Sequence, residues 1–196
     1  MSAADPRLQK SQCRKQMRQR RRALSRAQQQ QAALKVAKRL AGLKAFKKAQ
    51  HIAFYLANDG ELSPHALIQL ALRHGKNCYL PRICGERMRF HRYQSKDKLS
   101  KNKFGIEEPL HSSPERLVKQ LDLVCMPLVA YDLTGNRLGM GGGYYDRAFS
   151  FRTRRHLKRP LLVGLAHGCQ QVETLTTEPW DQTLDYIVSD KHCLKF

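Results

Sequence analysis

The sequence predicts an α/β fold, a single domain spanning 1–196 and built on a mostly parallel sheet with helices on both faces, and three observations carry that expectation. Apolar runs of strand length alternate with amphipathic runs of helix length along most of the chain. Between the candidate strands "HIAFYL" and "NCYLP" lies one well-punctuated helix of the length a parallel crossover needs. The chain has 196 residues, 41% apolar and 27% charged, which suffices for one sizeable core and argues against disorder.

Residues 7–24 contain no helix breaker and are dense in Arg, Gln and Lys, so they predict a basic N-terminal helix. Lys10, Arg14, Arg18 and Arg21 share one face of it, a stripe that repels itself unless an anion lies against it. Ser25 and Gln28 form a capping box ahead of Ala33, Leu34, Ala37, Leu40 and Ala41, predicting a second helix over 26–43. "HIAFYL" reads as a buried strand feeding the turn-rich "NDGEL". Ser63 as N-cap, Pro64 at the first helical position and Gly75 past the end frame the crossover helix. "NCYLP" and the alternating "RMRFHRY" are strands, and 95–113 is a long polar loop of the kind that often carries function. Ser113 and Pro114 open a short helix, "LDLVCMP" is a buried strand, and a helix is expected over about 143–156. "PLLVGLA" and "DYIVS" complete the strands.

Thirty-six Lys and Arg against sixteen Asp and Glu leave a formal charge of +20, which points to nucleic acid, an anionic membrane or a small polyanion as partner. The charge is spread from end to end, without the one-sided concentration usual for a nucleic-acid binder. No apolar run approaches the roughly 18 residues of a membrane span. The six cysteines form no CxxC pair and follow no signal peptide, so reduced thiols and a cytoplasmic location are expected. The eight histidines lack metal-ligand spacing, and no zinc site is expected.

The stretch "RLGMGGGYYDR" places Gly139, Gly141, Gly142 and Gly143 just ahead of a helix. Bare backbone there can expose N–H groups to an anion, reinforced by the helix N-terminus. The run fits neither the Walker A pattern nor GxGxxG, so a purely structural turn stays open. Asp146 reads either as a ligand of a phosphate-bridging cation or as a first-turn dipole partner. The Arg14 stripe is either a solvated helix face or a charge clamp on a nucleotide. Glu61 follows a strand at the carboxyl edge, where α/β sheets bind ligands, and equally suits a surface acid. Asp181 in "EPWDQTLD" caps a turn or supplies a second carboxylate.

The longer stretch "PLVAYDLTGNRLGMGGGYYDR" resembles the signature of the 5-formyltetrahydrofolate cyclo-ligase family, in its bacterial Gly-Met-Gly-Gly-Gly form. "RRRALS", "FYLANDGE", "GKNCYLPR", "GIEEP" and "EPWDQTLD" follow in the family's order, while 84–103 and 150–160 carry no such likeness. Some relatives bear lysine where this chain has Gly142. The resemblance implies ATP- and Mg²⁺-dependent conversion of 5-formyltetrahydrofolate to 5,10-methenyltetrahydrofolate, with release of ADP and phosphate. The formyl oxygen would be phosphorylated and N10 would close the ring.

It also implies that Lys10 and Arg14 contact ATP phosphates while Arg137, Leu138, Gly139, Met140, Gly141, Gly142, Gly143, Tyr144 and Tyr145 wrap the nucleotide. Leu56 and Glu61, with Met140 to Tyr144, would line the folate site, and Asp146 and Asp181 would hold Mg²⁺. Catalytic roles would fall on Arg14, Arg137 and Tyr145, with no residue standing out as a necessary general base. The expected partners are ATP and a folate with or without a polyglutamate tail, bound by a monomer with no membrane or nucleic-acid partner. The rival readings are a nucleic-acid-binding module, which leaves Asp146, Glu61 and the glycine run unexplained, and a sugar-phosphate isomerase or CoA-transferase, which would need no ATP.

Overall fold

A computed structural model describes residues 5–155 and 159–196. The chain opens with three helices, α1 (Pro6–Arg22), α2 (Arg26–Gly42) and α3 (Lys44–Lys48). Asp5 caps α1, its carboxylate accepting from Arg7 N at 2.8 Å, and Pro6 occupies the first turn, where its missing N–H costs nothing. The capping box of α2 is formed in both directions, Ser25 Oγ accepting from Gln28 N at 3.2 Å and Gln28 Oε1 from Ser25 N at 2.8 Å.

Next come β1 (His51–Ala53), α4 (His65–Arg73), β2 (Asn77–Cys84) and β3 (Arg87–Tyr93), then β4 (Leu99–Lys101), β5 (Glu107–Pro109) and β6 (Glu115–Arg116). The second half holds β7 (Leu123–Met126), β8 (Ala130–Tyr131), β9 (Arg137–Leu138), α5 (Tyr144–Arg155), β10 (Leu161–Ala166), β11 (Tyr186–Ser189) and β12 (Cys193–Lys195). Eight strands form one sheet in the order β12-β11-β10-β7-β1-β2-β3-β6. The central strands from β11 to β2 pair in parallel, and β12, β3 and β6 add antiparallel edges.

Strand pleating sorts the core onto two faces. Ile52, Leu80, Leu123, Cys125, Val163 and Leu165 point to one, where Val36 and Leu40 of α2 and Leu67 and Ile68 of α4 cover them. Ala53, Val124, Met126, Leu162 and Ile187 point to the other, against Phe149 of α5. Helix α1 belongs to neither layer: Met17 packs with Val129, Ala130 and Leu138 beyond the carboxyl end of β7.

Three local expectations differ from the structure. No helix opens at Ser113 and Pro114: Pro114 O instead accepts from Arg92 N at 2.8 Å, Glu115–Arg116 continue along the open edge of β3, and only a three-residue 3₁₀ turn, Val118–Gln120, comes after them. Tertiary pairing overrides the helix-start signal there. The loop over 95–113 contains the β4–β5 hairpin, turned by Asn102, whose Oδ1 accepts from Phe104 N at 2.9 Å and Ile106 N at 3.2 Å. The crossover helix starts at His65, one residue later than expected, with Pro64 in the N-cap position and Ser63 Oγ accepting from His65 N at 3.3 Å.

The β8–β9 hairpin, which delivers the glycine run, is organised by one buried carboxylate. Asp132 Oδ1 accepts from Thr134 N, Thr134 Oγ1 and Asn136 N at 3.0, 2.8 and 3.1 Å. Its Oδ2 accepts from Asn136 Nδ2 and from Leu175 N, at 2.9 and 3.1 Å. Burial acts to raise its pKa, but the hydrogen bonds from Asn136 and Thr134 outweigh it and hold the carboxyl below its ordinary value. Asp132→Ala therefore leaves several donors unmatched and should cost about 3 kcal/mol. Thermal unfolding checks this: Tm should fall by roughly 6–12 °C, with a smaller loss for Asp132→Asn.

Candidate active site

From β1 the chain moves to β2 on one side and later returns to β7 on the other, so the carboxyl ends of β1 and β7 form the switch point where an open α/β sheet leaves a crevice. A cavity of about 890 Å³ opens there, walled by α1, the β1–α4 segment, the tip of the β4–β5 hairpin, the glycine run and the stretch from Glu178 to Asp181.

The cationic stripe of α1 faces inward, and the protein supplies anions for part of it. Asp59 accepts from Arg18 Nε at 2.7 Å and Arg21 Nη2 at 3.0 Å, and it also pairs with Arg22. Arg21 is fully buried and donates further to Asp59 O at 2.9 Å and Leu128 O at 3.2 Å. The turn that aims Asp59 puts this residue at φ +54°, a conformation for which Asp is among the better-suited side chains. Burial acts to raise the Asp59 pKa, and the Arg18, Arg22 and Arg21 hydrogen bonds together bring it below the ordinary value. Farther along α1, Lys10 Nζ lies 3.3 Å from Glu178 Oε1 and 3.5 Å from Asp181 Oδ2. Arg14 Nε donates to Gly139 O at 2.9 Å, tying the helix to the glycine run.

Within the run, Gly141 and Gly143 have φ of +100° and +63°, where a side chain would be strained. A Cβ at Gly142 would meet the Tyr144 ring at 3.0 Å. Buried Arg137 lies below, donating to Asp146 Oδ1 at 2.5 Å, with its guanidinium carbon 6.0 Å from the Tyr145 ring centroid. Burial, reinforced by the nearby Glu61, pushes the Tyr145 phenol up, so it stays a hydrogen-bond donor at neutral pH. Glu61 is itself raised, by burial first, against the opposing Asn58 N hydrogen bond of 3.1 Å.

Every site residue singled out in the sequence lines this one cavity: Lys10 and Arg14 from α1, Leu56 and Glu61 after β1, Arg137 to Asp146 as one run, and Asp181 opposite. Sequence reasoning missed Phe104 and Trp180, 53% and 65% exposed at its walls, although a lone tryptophan and an aromatic within a lysine-rich loop were visible signals. Phe104 meets Tyr144 edge-on with centroids 6.3 Å apart, and the Arg147 guanidinium carbon stands 5.0 Å from the same ring centroid. The two carboxylates expected to hold a metal both line the cavity and are already engaged: Asp146 Oδ1 also accepts from Gln182 N at 3.1 Å, and Asp181 Oδ2 from Glu178 N at 2.9 Å. Among the described residues no cluster of three or more His, Cys, Asp or Glu could cage an ion. Magnesium, which commonly takes only one or two carboxylates and completes its shell with phosphate and water, needs no such cage.

The model of the 5-formyltetrahydrofolate cyclo-ligase family matches residues 6–190. The chain belongs to this family. A 5-formyltetrahydrofolate cyclo-ligase of Haemophilus influenzae is 41% identical over 165 residues, covering 82% of this chain and 87% of the relative. The Escherichia coli cyclo-ligase is 39% identical over 177 residues, covering 88% and 96%. The solution structure of Aquifex aeolicus 5,10-methenyltetrahydrofolate synthetase superposes with a TM-score of 0.82 at 32% identity, over 95% of this chain and 92% of that one. The family match therefore extends over the helix, hairpin and glycine run that build the cavity. No helix among the described residues is long and apolar enough to cross a membrane.

The Arg21–Asp59 contact should be measurable in stability. Arg21→Met leaves Leu128 O without its guanidinium donor and removes one of three arginines from Asp59, costing about 3 kcal/mol in urea unfolding. Asp59 and Asp132 both have depressed folded-state pKa values. Their contribution is thus complete above the unfolded value near about pH 4 and is lost as pH falls through the folded values. Stability curves should steepen below about pH 4, and Asp59→Asn should flatten that limb.

Proposed function

We propose that this protein uses ATP to convert 5-formyltetrahydrofolate into 5,10-methenyltetrahydrofolate, releasing ADP and phosphate. One observation carries the reading: the cationic face of α1 and the glycine run meet across a single cavity at the switch point, joined by the Arg14 to Gly139 hydrogen bond. Family membership supports the folate half, and the glycine–cation arrangement supports the nucleotide half.

The chemistry needs such a site. A formyl oxygen on N5 is an amide oxygen and a poor leaving group, so it first attacks the γ-phosphorus of ATP and ADP departs. N10 then adds to the activated formyl carbon, loses its proton to solvent or phosphate, and expels inorganic phosphate with the C–O bond, leaving the conjugated methenyl bridge. Phosphoryl transfer calls chiefly for positioning and charge stabilisation.

In this reading the exposed backbone of Gly141 to Gly143 cradles the phosphates, and Lys10 and Arg14 neutralise them from above. Arg137, fixed by Asp146, and the protonated Tyr145 phenol donate toward the transferring group. Leu56 and Glu61 take the pterin end, Glu61 accepting from its donor edge, while Met140 to Tyr144 lie between the two ligands. Asp146 and Asp181 would hold Mg²⁺, which when bound offsets phosphate charge.

Mixing the protein with 5-formyltetrahydrofolate, Mg²⁺ and ATP should produce a near-ultraviolet absorbance rise that is absent without ATP; a flat trace with folded protein overturns the proposal. Arg14→Ala should lower kcat/KM for ATP by about 100-fold while leaving folate binding nearly unchanged. Asp146→Asn should move the Mg²⁺ titration to higher concentration. An unmoved titration would leave the carboxylate as a partner of Arg137 and Gln182 N alone.

A further inference from the structure

Although positive charge is spread along the whole chain, the three N-terminal helices carry it unopposed by any acid of their own. Between Pro6 and Asn58 the sequence holds fifteen Lys and Arg and no acid, so α1, α2 and α3 carry only cations. Those of α1 that face inward are met by Asp59, Glu178, Asp181 and Gly139 O. A second set, Arg26, Lys35, Lys38, Lys44, Lys47 and Lys48, is exposed on α2 and α3 and lines no part of the large cavity. Among the described residues, none of these six forms an ion pair. ATP and folate bound at the carboxyl edge therefore do not account for them.

We propose that the outer face of α2 and α3 binds the sugar-phosphate backbone of nucleic acid, as a second function separate from the cyclo-ligase site. Helix α2, at 17 residues, is about 25 Å long, enough to run beside several phosphates. Gln28, Gln30 and Gln31 stand exposed on α2 and offer amide donors to phosphate or sugar oxygens. The lysines of α3 end at a concavity: Lys44 and Lys48 line a cavity of about 260 Å³ together with Arg159. Its acid, Asp122, accepts from Gln50 N and His51 N at 2.9 Å each and lies 3.7 Å from Arg159, leaving the lining with a cationic excess.

A lipid surface is the weaker match. A helix lying on a membrane turns an apolar face outward, whereas Val36 and Leu40, the apolar face of α2, are buried on the sheet. Leu34 is the one large apolar side chain that α2 and α3 expose. Backbone binding needs spaced cations and no apolar face.

Fluorescence anisotropy of the full chain with labelled oligouridylate tests the idea. Binding should have a Kd of about 10⁻⁵ M at physiological salt. Five lysine contacts to a single strand imply a slope of about −3.5 in log K against log salt, or about 100-fold weakening over a fourfold rise in salt. The combined substitution Lys35→Gln, Lys38→Gln, Lys44→Gln, Lys47→Gln and Lys48→Gln should abolish the binding and leave cyclo-ligase turnover unchanged. Saturating ATP and 5-formyltetrahydrofolate should not displace the oligonucleotide. The proposal is overturned by absence of binding at low salt, by an unaltered slope in the five-site variant, or by displacement with ATP. It is equally overturned if phosphatidylserine vesicles, and not the oligonucleotide, lose binding to the variant.

Discussion

The geometry of the cavity depends on a buried guanidinium meeting a carboxylate that is the first acid after Asp5 in the chain, Arg21 on Asp59. Helix α1 has no acidic residue in its span, and its charges would repel one another and any basic surface beneath. Burying Arg21 completely is costly unless every donor finds an acceptor, and Asp59 and Leu128 O accept from it. Once that end of α1 is fixed, Arg14 and Lys10 fall on successive turns toward the helix start, over the glycine run and the Glu178–Asp181 segment. A contact at one end of a helix thereby positions cations at the other.

Asp132 does the corresponding work from below. It gathers the hairpin turn and the distant Leu175 N onto one carboxylate, so β9 emerges in a fixed direction and Arg137 is delivered under the glycines. Arg137 in turn holds Asp146, whose oxygen also takes the Gln182 amide. The walls thus come from segments far apart in sequence, yet each is locked by a carboxylate that accepts more than one hydrogen bond. Such prior locking lets a site act on charge without reorganising.

Much of this was legible beforehand because local chemistry and tertiary demand agree. The Ser25–Gln28 box and the apolar spacing after it name α2 unaided, and the buried runs "NCYLP" and "LDLVCMP" form β2 and β7. The β4–β5 hairpin was not legible, since strands of three residues are too short to show a period. At Ser113 the local signal pointed to a helix, but the open edge of β3 claimed the segment. In the site, the glycine run, Asp146 and Glu61 were singled out from the sequence, and all of them line the one cavity. What answers the α1 stripe could not be read: periodicity shows that cations share a face, not that Asp59 lies against it. Phe104 escaped for a similar reason, because its contact with Tyr144 joins two loops across the cavity.

The ends of the sheet bear on how the molecule behaves in a crowded solution. One border is β6, two residues long, and the other is β12, three residues long, both antiparallel to their neighbours. An exposed edge recruits another chain when it is long, flat and apolar. Here each border offers only a brief ladder, and Arg116 and Lys195 place charge on it. Together with a formal charge of +20, which sets copies repelling at a distance, this discourages strand-by-strand self-association. Short borders and like charge thus act in the same direction, one removing the template for a foreign strand and the other keeping copies apart before they could meet.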